Sequence, residues 1–221
     1  MLKIENTEVF GWGAAIRGAR NPMNSWDRMD SNWGLKEDPS LINPNDDEVY
    51  FSVGENDMKL MKNLAKAGSD HAKYLRMINV TMDVIAMQPW WMEFDTYKIA
   101  TVRNSCSKMH KIHVKEFTID DFEHRGIDEC GGLTKTVFKM VIEHCNVLRD
   151  KFNETQEKKY WRALIELLPE GYLMRSTIQL NYEVLRNQYH ARKNHKLVEW
   201  HEYCDWIRTL PYAKELIIGE D

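Results

Sequence analysis

The chain has 221 residues, 43% apolar and 29% charged, with a formal net charge of −4. That length buries a full core, and the balance belongs to globular chains, not disordered ones. No window approaches the ~18 consecutive apolar residues of a spanning helix, and net acidity argues against the basic footprint that nucleic-acid binding needs.

Residues 1–10 read as a strand, and AAIRGAR begins a helix that stops near Pro22. From 21 to 55 Asn, Asp, Pro and Ser dominate, which predicts a loop. Ordinary connections run ~2–8 residues, so this stretch reads as a surface excursion, a flap or a subunit-contacting arm. Asn56 is the expected N-cap of NDMKLMKNLAKAG, with Leu60, Met61 and Leu64 on one face and Gly68 as the stop. SDHAKYLRM reads as a second short helix. In NVTMDVIAM, Val80, Met82 and Val84 alternate as in a half-buried strand, which Pro89 ends. WWMEFDTYKIATV is expected to be helical and leads into the small-residue run NSCSKMH.

The second half reads as helices. In CGGLTK a glycine pair opens one of them and lacks the pattern of a phosphate-binding P-loop. The helix that follows carries Val137, Met140, Val141, Cys145 and Leu148 at helical intervals. TQEKKYWRALIELLP is a second, with Thr155 as the expected cap and Glu157 nearby, ending before Pro169. STIQLNYEVLRNQYHAR and KLVEWHEYCDWIRTLP complete the set. Little sheet and many helices make the class α+β.

Cys106, Cys130, Cys145 and Cys204 are widely spaced with no CxxC, which predicts reduced thiols in a cytosolic protein. The N-terminus has no basic region followed by an apolar run, against export by a signal peptide. Eight tryptophans are many for this length, and some are expected to line interfaces or a pocket for a flat ring. Cys106, His110 and His113 have the spacing of metal ligands on a helix, but a fourth ligand is missing.

The most informative stretch is LLPEGYLMRSTIQLNYEVLRNQYHAR, residues 167–192. On a helix Asn181, Leu185, Gln188 and Arg192 share a stripe, while Asn187 points about 120° away from Asn181. Asn181 and Arg192 are then about 16 Å apart along the axis. A carboxamide supplies both a carbonyl and an NH₂, matching the amide edges of flavins and pyrimidines. An arginine holds a phosphate or a charge developing on a base. The plain alternative is that these are ordinary cap and surface residues.

This stretch resembles the C-terminal motif of the flavin-dependent thymidylate synthases: a Leu-Pro pair, an Asn, a second Asn six positions on, and an Arg eleven positions after the first. Here these are Leu168-Pro169, Asn181, Asn187 and Arg192. The resemblance implies that Asn181, Tyr182, Glu183 and Asn187 contact the flavin and that Arg192 contacts and polarises the base of dUMP. The following Val198-Glu199-Trp200 is a looser match to the family's Gln-Trp-Glu. With a helix and strand upstream, the likeness runs over roughly residues 57 to 207.

The family's Arg-His-Arg signature is absent. Tyr97, Lys98 and Ile99 stand near it; Asn104 and Ser107 survive, the family's Glu is Ser105, and its terminal Arg falls on Met109. Each lost guanidinium removes charge-assisted hydrogen bonds of ~1.5–3 kcal/mol. Lys98, Arg103 and Lys108 are the cations at hand, Lys98 toward the cofactor. A further family arginine falls on Ile165, with Arg162 three residues away. By resemblance, Asn104, Ser105, Ser107, Lys108, Arg162 and Arg192 bind the nucleotide. His190, Arg192, Lys193, His195 and Lys196 form a basic cluster, read as a solvated helix end or as a phosphate site.

The resemblance therefore implies one synthase-like domain over 1–221 with a small, mostly antiparallel sheet and a predominantly helical second half. It implies FAD as cofactor, NADPH and methylenetetrahydrofolate as co-substrates, methyl transfer to C5 of dUMP, a cytoplasmic setting and a homotetramer. Two alternatives stay open: a flavin enzyme acting on another pyrimidine nucleotide, and a silent nucleotide-binding homologue.

Overall fold

The computed structural model describes residues 1–35 and 49–219. β1 (Lys3–Phe10), β4 (Asn79–Met87), β6 (Leu173–Asn181) and β5 (Val102–Ser105) form a sheet in the order β1-β4-β6-β5. A separate antiparallel pair joins β2 (Asn32–Leu35) to β3 (Val49–Ser52), with Asn32 opposite Ser52 and Trp33 opposite Phe51. A small antiparallel sheet and a predominantly helical second half give the expected α+β class.

β4 follows its sequence pattern closely. Val80, Met82, Val84 and Ala86 are buried, and the alternate positions are half-buried. Two-residue periodicity sends the second set to the other face, where Asp83 accepts hydrogen bonds from Thr177 Oγ1 of β6 (2.6 Å) and Asn6 Nδ2 of β1 (2.9 Å). The strand ends as expected at Pro89, whose fixed φ suits the first turn of α3 (Gln88–Phe94).

One compact unit comprises residues 1–6, 82–98 and 102–178. Its helices are α3, α4 (Lys108–Lys111), α5 (Arg125–Cys130), α6 (Gly132–Thr155) and α7 (Lys158–Leu167). α6 contributes Ile142, Cys145 and Leu148 to a core with Leu164, Ile112, Phe117 and Phe122. Burial pushes the Cys145 thiol up to about 11. The expected α6 face is partly wrong, since Val137 and Met140 are exposed and Ile142 lies inside.

Other expectations for this unit also change. Helix α3 stops at Phe94, well short of Val102, because the chain turns after Asp95 and then pairs as β5, a strand hidden in a small-residue run. Thr155 is the last residue of α6, and the N-cap of α7 is Glu157, which has no side-chain cap bond.

The other unit comprises residues 7–81, 99–101 and 179–221, and holds α1 (Trp12–Arg20), α2 (Glu55–Lys66), α8 (Tyr182–Arg192) and α9 (Val198–Arg208). Trp12, Ile16, Met61, Leu75, Tyr182, Leu185, Trp200 and Tyr203 are buried in it. SDHAKYLRM forms a 3-10 helix over Ala72–Met77. Asn56 is not the cap of α2. The N-cap is Gly54, and the first turn is capped from outside by Asp30, which accepts from the backbone N–H of Asn56 (2.9 Å) and Asp57 (3.0 Å).

The stretch 21–55 is more than a loop. It holds 3-10 turns at Asn21–Met23 and Trp26–Arg28, then β2 and β3; residues 36–48 of the expected flap lie outside the described residues. A buried network anchors its beginning: Asp57 accepts from Arg20 Nε (2.6 Å), Ser31 N (2.9 Å) and Ser31 Oγ (2.6 Å).

Candidate functional site

The expected single helix over STIQLNYEVLRNQYHAR is two elements. Leu173–Asn181 is β6, with Met174, Ser176, Ile178 and Leu180 buried in alternation, and α8 begins at Tyr182. Asn181 is where they meet. It is buried, has extended backbone, and accepts from Val184 N through its side-chain oxygen (3.1 Å), a side-chain N-cap. The inferred stripe therefore starts at a cap, not on the body of a helix.

The helix then sorts the implied flavin residues. Tyr182 is fully buried. Its hydroxyl donates to Pro211 O (2.6 Å), its ring meets Trp12 edge-on at 5.3 Å, and burial pushes its phenol above its ordinary range. Its backbone N–H is used as well, donating to Ile78 O (3.0 Å). Glu183 pairs with both Nε and Nη2 of Arg76, the latter at 3.0 Å. Asn187 is exposed, and no hydrogen bond engages its carboxamide among the described residues. Gln188, which shares the stripe, is fully buried; Tyr203 donates to its Oε1 (2.8 Å) while its Nε2 has no hydrogen-bond partner.

Arg192 ends α8 half-buried, with its guanidinium carbon 4.9 Å from the centroid of the Trp200 ring. The ring of His195 approaches the same tryptophan at 6.2 Å. His195 Nδ1 accepts from Leu197 N (3.1 Å), and His190 Nε2 lies 3.2 Å from Ile217 O. Two members of the basic cluster, Arg192 and His195, thus meet one buried indole, and its two histidines are bonded to backbone. The sequence signals neither this platform nor the Arg76–Glu183 pair, whose partners are 107 residues apart.

The remaining predicted residues belong to the first unit. Lys98, Asn104, Ser105 and Ser107 are exposed and Lys108 is half-buried. Ser107 caps α4 by accepting from His110 N (3.3 Å). Arg162 is exposed and bonded to Glu166 (2.8 Å). Arg103 is the most firmly placed cation here. Its guanidinium carbon stands 3.8 Å over Trp91, Nε donates to Ser176 (3.0 Å), and Nη1 pairs with Asp95 (2.6 Å). Those bonds suit a structural arginine. The metal spacing dissolves, because only Lys108–Lys111 is helical between Cys106 and His113, and no group of three metal-ligating side chains forms among the described residues.

For the flavin that the resemblance implies, the chemistry of the donor set is mixed. The exposed carboxamide of Asn187 has the donor and acceptor that the edge of a flavin ring calls for, whereas at the start of α8 the N–H groups of Tyr182 and Val184 are already bonded to Ile78 O and Asn181 Oδ1. A cofactor diphosphate calls for cations, and at 97–99 only Lys98 supplies one. Of the implied set, Asn187 has the chemistry to meet a flavin ring, and a diphosphate would meet a lysine in place of guanidinium groups.

The fold is that of the flavin-dependent thymidylate synthases. The chain matches the thymidylate synthase X (ThyX) of Helicobacter pylori, solved with FAD and dUMP at 2.31 Å, with a TM-score of 0.66 and 13% identity, over 98% of this chain and 97% of that one. A second structure of the flavin-dependent synthase ThyX from that organism, complexed with FAD and dUMP, gives a TM-score of 0.65 and 14% identity over 97% of each chain. No family model and no curated protein matches the sequence. No helix among the described residues is long and apolar enough to cross a membrane.

Proposed function

We propose that the chain is a flavin-dependent enzyme of the thymidylate synthase type, methylating C5 of a dUMP-like nucleotide with methylenetetrahydrofolate and NADPH as co-substrates. The observation that supports this reading most is the shared fold over 98% of the chain, with the Asn181, Asn187 and Arg192 series carried at the cap, on the outer face and at the end of one helix.

FAD, when bound, supplies the redox chemistry. In this reading Asn187 and the backbone of Asn181, Tyr182 and Glu183 hold the flavin ring, with Lys98 toward its phosphates. Arg192 holds the base and stabilises negative charge developing on it, with its guanidinium carbon beside the buried Trp200 ring. Asn104, Ser105, Ser107, Lys108 and Arg162 address the nucleotide, Arg162 after leaving Glu166. The whole chain acts as one synthase-like domain in a cytoplasmic homotetramer.

The test is an absorbance titration of the purified protein with FAD, repeated with dUMP. A flavin band that is perturbed by the protein and shifts again with dUMP is the expected result, followed by thymidylate formation in the full assay. An unperturbed band in both titrations sinks the reading. Tyr97-Lys98-Ile99 in place of the guanidinium triplet favours a second reading, a nucleotide-binding homologue without flavin. Retained dUMP binding with no flavin response selects it. Flavin reduction without thymidylate selects another pyrimidine substrate.

A further inference from the structure

α6 has two apolar faces. Ile142, Cys145 and Leu148 point into the core of the first unit. Leu133 (78% exposed), Val137, Met140 (61% exposed) and Val147 lie in solvent. At about 100° per residue this outer set, with the exposed His144, falls in one sector roughly 120° around the helix from the core face. A helix that serves only its own core carries one apolar stripe and polar residues elsewhere. Single apolar residues on a surface are ordinary, but a continuous row of them marks a contact surface. Helix propensity does not explain the row, because Val is a poor helix former.

The spacing says what kind of partner fits. Residues 133, 137, 140, 144 and 147 follow steps of four, three, four and three, the heptad rhythm by which one helix packs lengthwise against another. The row has a polar flank on one side only, at Thr136, Lys139, Glu143 and Asp150; its other flank is the core side. Among the described residues no hydrogen bond or ion pair engages Lys139 or Glu143.

Run against itself in the antiparallel sense, the row is self-complementary. With a two-fold axis level with residue 142, Val137 meets Val147 of the second copy and Met140 meets His144 of the second copy. The two polar flanks then lie side by side, and Lys139 of each comes within reach of Glu143 of the other. A two-fold contact requires such reciprocity. A parallel copy sets the charged flank against the core side of its neighbour and leaves both charges unanswered.

We propose that this face of α6 pairs, antiparallel, with the same face of a second copy of the chain. The row is about 21 Å long. A strip of that length and one helix wide is smaller than the ~800 Å² per partner of a stable complex, so pairing rises with concentration unless other surfaces of the copies add to it. No residue of the implied flavin or nucleotide set takes part.

The test is sedimentation equilibrium of the full chain over a concentration series, without FAD or dUMP. Wild type is expected to associate, and Met140→Glu to weaken association by about tenfold or more by burying a charge. Lys139→Glu and Glu143→Lys should each weaken it. An equimolar mixture of those two variants should associate again, since an acidic flank then meets a basic one. A wild type that is monomeric at every concentration, or association that Met140→Glu leaves unchanged, overturns the proposal. Orientation is read by mild oxidation of Val137→Cys, Val147→Cys and the double variant, with wild type giving the background from the exposed Cys106 and Cys130. Within one helix the two positions are about 15 Å apart, beyond the reach of a disulfide. Covalent dimers specific to the double variant support the antiparallel pair, and dimers from either single variant overturn it. Because neither flavin nor nucleotide is present, failure here and failure of the flavin reading are separately visible.

Discussion

The guanidinium carbon of Arg192 lies 4.9 Å from the ring centroid of Trp200, whose side chain is fully buried. A core residue thus lies beside the cation for which the base-binding role is proposed. Arg192→Ala is expected to weaken dUMP binding by about tenfold or more, the equivalent of one lost charged hydrogen bond. Arg192→Lys restores the charge without the planar fork and should recover only part of it. Equilibrium dialysis with dUMP checks both, and wild-type affinity in the alanine variant removes Arg192 from the site.

Arg20 and Asp57 form a buried pair that ties α1 to α2 and to the backbone before β2. Asp57→Ala leaves the arginine buried without its carboxylate, which typically costs roughly 3–5 kcal/mol. Urea unfolding should show that loss as a lower midpoint. A change below about 1 kcal/mol, the scale of an exposed pair, would mean that water reaches Arg20.

Asp83 fixes the sign of an acid effect on the four-stranded sheet. Hydrogen bonds from Thr177 and then Asn6 hold its carboxyl below the ordinary range. Asp30 shifts the same way: desolvation pushes it up, but the N–H groups of Asn56 and Asp57 outweigh that. A carboxylate depressed in the folded state stabilises fully above its unfolded pKa of ~3.9, and the contribution is lost as pH falls through the folded value. Stability should therefore fall below about pH 4, and the gap between wild type and Asp83→Asn should narrow as pH drops. Urea midpoints across that range measure it; a gap that widens toward acid contradicts the assignment.

What the sequence made legible follows from how local each signal is. The alternation in β4 and the stop at Pro89 depend on neighbours one to four residues away, and both hold in the structure. β6 was hidden because STIQLN runs without a break into a strong helical pattern, and only strand pairing separates the two. β5 is four residues without an apolar run, and its existence depends on β6 beside it. At the candidate site the order of Asn181, Asn187 and Arg192 could be read from spacing. That Asn181 is a cap follows from where β6 ends, which only strand pairing sets, and that Glu183 is tied to Arg76 and Arg192 lies on Trp200 are facts of how elements pack, which spacing does not encode.

Because Asn181 is both the cap of α8 and an implied flavin contact, its two roles need separating. Asn181→Ala removes the oxygen that accepts from Val184 N and should cost ~1 kcal/mol, within the 0.5–2 range for lost caps. Asn181→Ser keeps a capping oxygen and loses the carboxamide NH₂. If the amide group touches the flavin, the serine variant should unfold close to wild type yet bind FAD more weakly, by about tenfold for a lost hydrogen bond of ~1.4 kcal/mol. If the flavin meets only the backbone at this position, the serine variant should match wild type in FAD titration. The alanine variant would then lose affinity only as far as α8 frays. Thermal unfolding and flavin absorbance on the two variants distinguish these outcomes, and weaker FAD binding in the serine variant at unchanged stability assigns the carboxamide to the cofactor.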